Sequence, residues 1–108
     1  MGDPTSASKW SVGATADNGA AAATRAAETG RAHYVTGLYA SFSAANIKTL
    51  TLSDGTTTLT FHVHNQRDLV FAKPLKFLQG ATVTATLAAS GAGGQIGAVV
   101  LTGFTIGA

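Results

Sequence analysis

An antiparallel β-sandwich of about eight strands is the fold this sequence predicts, and three observations carry it. Between Arg31 and Ile106, apolar residues alternate with Thr, Ser and Gly almost without a break. A period of two sends successive side chains to opposite sheet faces, so Tyr34, Leu38 and Phe42, then Leu59, Phe61 and Val63, then Val83, Ala85 and Leu87 read as half-buried strand faces. Turn signals punctuate these runs at short intervals. Charged residues make up only 11 % of the chain, against the usual quarter.

The elements follow in order. Met1 to Ser8 is small and polar with a proline, and is expected to be a flexible or partner-bound arm ahead of one domain, residues 9–108. Lys9 to Val12 predicts a short strand anchored by Trp10, and Asp17-Asn18-Gly19 a turn. Ala20 to Glu28 is alanine-rich, which favours helix, but it is short and has no apolar stripe; a strand is expected, with helix the alternative. Arg31 to Ser43 predicts the longest strand, bent or bulged near Gly37. Ile47 to Ser53 and Thr56 to Asn65 flank Asp54-Gly55, the signature of a type I′ hairpin.

Leu69 to Ala72 and Leu75 to Leu78 predict strand segments around Lys73-Pro74. Proline cannot donate to a ladder, so that point is expected at an edge or a crossing between sheets. Ala81 to Ala89 and Gln95 to Ile106 complete the set, joined by a glycine loop at Ser90 to Gly94. The expected core is Tyr34 or Val35, Leu38, Phe42, Leu50, Leu52, Leu59, Phe61, Val63, Phe71, Phe77, Val83, Leu87 and Val99. The layout is jelly-roll-like.

Composition narrows the function. The net charge of +2 comes from dispersed cations and a shortage of acids, without the clustered basic stripe of a nucleic-acid binder; no nucleic acid is expected. Cysteine is absent, so disulfide and thiolate sites are excluded. No apolar run approaches the ~20 residues of a membrane helix, and no membrane partner is expected. Much of the 45 % hydrophobic content is alanine. With few large anchors and little charge, the chain is expected to bury flat strand faces against copies of itself, as a homotrimer.

Few residues point to chemistry. His62 and His64 sit two apart on a predicted strand, where both imidazoles share a face, and Asp68 could add a carboxylate. His62 to Asp68 resembles the first metal motif of cupins, which implies a metal held by His62, His64 and Asp68. The preceding glycine, Gly55, is off by one, the acid is Asp where Glu is expected, and the second motif with its histidine is missing. If Phe61 and Val63 face the core, both histidines face outward, so neither a catalytic metal nor any other cofactor is expected. No Gly-x-Ser-x-Gly elbow, paired carboxylates or phosphate loop appears, and a non-enzymatic role is expected. Trp10, Tyr34 and Tyr39 could form a sugar-stacking platform, although aromatics in a small domain more often anchor cores or interfaces. Trp10, Arg31, Tyr39 and Pro74 are the interface candidates.

The overall layout resembles small virion proteins of tailed phages. The resemblance runs from Trp10-Ser11 through Tyr34-Val35-Thr36-Gly37-Leu38, the hairpin at Ser53-Asp54-Gly55-Thr56 and Pro74-Leu75 to Gly103-Phe104-Thr105. It implies a capsid decoration (cement) protein that stabilises the phage head, or a related tail protein. The implied partners are the chain itself and the major capsid protein or another virion protein. The implied location is the capsid surface, after assembly in the host cytoplasm. A glycan-binding module and a small cupin-like metal protein are the alternatives.

Overall fold

The computed structural model describes residues 8–44, 46–91 and 93–107. Eight antiparallel strands account for most of them: β1 (Ser8–Asp17), β2 (Ala21–Arg25), β3 (Arg31–Phe42), β4 (Ile47–Ser53), β5 (Thr58–His64), β6 (Gln66–Lys76), β7 (Val83–Leu87) and β8 (Ile96–Gly107). The ladder order is β1-β8-β3-β6-β5-β4-β7-β2. Only one pair, His64 with Gln66, joins β6 to β5. The ladder therefore folds at that point into two facing sheets, β1-β8-β3-β6 and β5-β4-β7-β2, the strand order of a jelly roll.

The inner faces interdigitate into one core. Val35, Leu50, Leu52, Val63, Val83, Leu87, Val99 and Leu101 are fully buried, with Leu38 and Phe77 nearly so. Half-buried Trp10, Phe42, Leu59, Phe61, Leu69 and Phe71 pack around them. At about 25 cal/mol per Å² of apolar surface, these aliphatic side chains supply most of the driving force for folding.

Several expectations change in detail. β1 runs on to Asp17 where Val12 was expected as its end, because β8 continues beside it and Ala14 and Ala16 still face the core. Ala21–Arg25 is a strand beside β7, shorter than the predicted 20–28, with Ala21 and Ala23 only 2 % and 1 % exposed. Pairing outweighs alanine's intrinsic helical preference here. β3 carries its irregularity between Val35 and Gly37. The extra residue reverses the parity, so Val35 faces the core and Tyr34 faces out. Lys73-Pro74 lies within a single strand, β6, at the edge of its sheet, where a missing N–H costs no ladder bond.

The Asp54 hairpin forms, but its turn differs from type I′, which needs positive φ at two successive central residues. Among residues 54–57 only Gly55 has it, at 90°. Asp54 Oδ1 accepts the N–H groups of Thr56 and Thr57 instead, at 2.9 and 2.7 Å. The arm expected over Met1 to Ser8 lies outside the described residues, save Ser8, which opens β1 opposite Thr105.

Candidate functional site

The histidine pair stands on the outer face of β5, His62 opposite Thr49 and His64 opposite Ile47, both exposed. Asp68 lies in the other sheet, opposite Tyr39. Among the described residues no three His, Cys, Asp or Glu side chains come close enough to share a metal ion. His62, His64 and Asp68 are not brought together as a ligand set.

His33 was noted in the sequence only as a further histidine, yet it anchors a buried polar relay. It is 1 % exposed. Its Nε2 lies 2.7 Å from the Ala26 carbonyl oxygen. A carbonyl only accepts, so Nε2 carries a proton, and in the neutral ring Nδ1 is an acceptor. Thr105 Oγ1, 2.6 Å from Nδ1, donates to it and in turn accepts the indole N–H of Trp10 at 2.8 Å. With the ring neutral, the proton order runs from Trp10 to Thr105 to His33 to Ala26. The relay ties β1, β8 and β3 to the segment after β2. The available signal was parity, since His33 shares the inward face with Val35.

A charged cluster covers one end of this relay. Arg25 lies over the Trp10 ring, 5.5 Å from its centroid, and pairs with Glu28 at 2.7 Å. Arg31 reaches the other Glu28 oxygen at 3.1 Å. Desolvation raises the Glu28 carboxyl, but the hydrogen bond and charge of Arg25, reinforced by Arg31, outweigh it and hold the group below its usual range. Trp10 faces inward, so it does not share a platform with the outward-facing Tyr34 and Tyr39. Tyr34 is itself stacked on Phe104, with centroids 5.0 Å apart and planes at 9°.

Two surfaces have the dimensions of binding sites. The outer face of β1-β8-β3-β6 presents Ala98, Val100, Thr102, Phe104 and Ile106 on β8 beside Tyr34, Tyr39 and Ser41 on β3. These two central strands show no charge outward; Lys9, Asp17, Asp68 and Lys76 stand on the flanking strands. Val70, 82 % exposed, extends the apolar surface onto β6.

The second surface is a groove of about 530 Å³ between the Asp54 hairpin and the end of β6, lined chiefly by Leu59, Pro74, Leu75, Phe77 and Leu78. Asp54 braces it. Its Oδ2 accepts the Leu78 N–H at 2.9 Å, which pins the two walls together. The backbone N–H of Thr57, then of Leu78, and with them that of Thr56, outweigh desolvation and hold the carboxyl below its usual range. Of the interface candidates, Tyr39 lies on the outer face between Val100 and Asp68. Pro74 lines the groove, Arg31 is paired with Glu28, and Trp10 is in the relay.

No protein-family model matches this chain, and no curated protein matches it in sequence.

Proposed function

We propose that this chain is a non-enzymatic virion structural protein, a decoration module that assembles as a homotrimer on the outside of a phage capsid and stabilises it. The observation that carries the reading is the outer face of β1-β8-β3-β6, whose central strands β8 and β3 turn no charge outward. Four strands at ~4.8 Å spacing and a length near 35 Å give a face on the order of 700 Å². A standard interface takes about 800 Å² from each partner, so this one face can supply most of a subunit or lattice contact. Uncharged central strands suit burial, because no ion must be desolvated. The layout resemblance to tailed-phage virion proteins gives the setting. Linking weak single contacts through a trimer would raise avidity on a repeating lattice.

Sedimentation equilibrium and co-sedimentation with undecorated capsids test the reading. Trimers that bind capsids are expected, with Val70→Lys weakening assembly while leaving the fold intact. A stable monomer at micromolar concentration that ignores capsids but binds a polysaccharide in a glycan screen would sink it.

A further inference from the structure

The two sides of the sandwich close differently. On one side β1 lies against β2. On the other, β5 and β6 pair only at His64–Gln66, and the groove opens where they diverge, between Thr56–Leu59 and Lys73–Leu78. This open seam is flanked by unused backbone. Along an antiparallel strand, successive residues turn their N–H and C=O groups to alternate sides. Thr49 turns its carbonyl to β7, accepting from Ala88 N–H, and Thr51 and Ser53 share its direction. Their register partners His62, Thr60 and Thr58 therefore turn away from β4, toward the seam. The His62 carbonyl is taken there by the Arg67 guanidinium at 3.0 Å. Thr58 and Thr60 have no such bond among the described residues.

We infer that this seam is a strand-addition site for an extended, acidic peptide segment of a partner protein. Free N–H and C=O groups in strand register are matched by another backbone, which a lipid or sugar cannot supply at that spacing. A strand laid beside Thr58 and Thr60 turns every second side chain inward, against Leu59, Leu75 and Phe77. The groove's apolar lining selects valine- or leucine-like side chains at those positions. At the rim of the groove stands the exposed Lys73, with Lys76 beside it on β6, while the groove's carboxylate, Asp54, is buried and occupied by backbone N–H groups. Neither lysine is in an ion pair among the described residues, so acidic side chains at the rim complement this wall, Lys73 first, since Lys76 also leans over Tyr34. β5 also lacks the lysines and prolines that commonly guard an exposed edge. The inference is independent of the capsid reading, because it concerns a different surface.

The test uses the whole protein, isotopically labelled, and an acetylated, amidated eight-residue peptide alternating valine or leucine with glutamate. Amide exchange is followed by NMR with and without 1 mM peptide. Slowed exchange at Thr58 and Thr60, with shifts at Leu59 and Leu78, is the expected result. Two changes should each weaken binding at least tenfold: N-methylation of the peptide on its β5-facing edge, and Leu78→Glu on the protein, at a side chain 56 % exposed. A Lys73→Glu variant should weaken it several-fold. Unchanged exchange at Thr58 and Thr60 overturns the inference, including when the methyl groups of Leu59 and Leu78 still respond, which would assign the groove to a small apolar ligand. Protection that appears without peptide and rises with protein concentration overturns it too, assigning the edge to a second copy of the chain.

Discussion

Thr105→Val is the sharpest probe of the buried relay. The substitution keeps the β-branched shape and removes only the hydroxyl that accepts from Trp10 and donates to His33. His33 Nδ1, fully enclosed, loses its donor at a cost of about 2 kcal/mol. The Trp10 N–H is half-buried and can recover part of its bond from water, so its loss costs about 1 kcal/mol. The added methyl group returns about 0.8 kcal/mol of burial. The net destabilisation is about 2 kcal/mol, or a fall in Tm of roughly 8–15 °C for a domain of this size. Urea unfolding followed by circular dichroism measures it. A double-mutant cycle with Trp10→Phe should show a coupling of about 1 kcal/mol. If Thr105→Val is as stable as the parent, or the two substitutions simply add, the hydrogen bonds to Thr105 do not couple the relay as argued.

Further outcomes follow from the same structure. Long-range proton–nitrogen NMR should find His33 as the Nε2–H tautomer, and a ring without a proton on Nε2 would contradict the Ala26 contact. Asp54 has a folded pKa below its unfolded value of about 4, so its contribution is fully present above that pH and is lost as pH falls through the lower folded value. An acid titration of stability should show this loss below about pH 4, and Asp54→Asn should remove it while costing about 1–2 kcal/mol at neutral pH. Gly103→Ala places a methyl group against the Tyr34 carbonyl and 2.9 Å from the Trp10 ring, and should cost about 3 kcal/mol in chemical denaturation. His62→Ala and His64→Ala should change stability by less than about 0.5 kcal/mol each, since both side chains stand in solvent.

Much of this protein was legible in the sequence alone. Alternation marks faces locally, so Leu50 and Leu52, Leu59 to Val63, and Val83 to Leu87 could be assigned to strands and to the core without knowing their partners. Ile47–Ser53 has the predicted bounds, and Asp54-Gly55 turns the chain where turn chemistry requires. Parity also placed His62 and His64 outside. What local pattern cannot carry is which strand lies beside which. The extra residue between Val35 and Gly37 decides whether Tyr34 or Val35 enters the core, and only the β8 and β6 registers reveal it. Ala21–Arg25 is a strand because β7 offers it a ladder. Asp54 reads as a turn residue, but its bond to Leu78 spans 24 positions. The relay joins residues 95 and 72 apart, Trp10 with Thr105 and Thr105 with His33. The seam exists only because β5 and β6 part after one pair. Side-chain alternation is a property of each strand; relay, brace and seam arise from register between strands, and that is set by the packing of the whole sandwich.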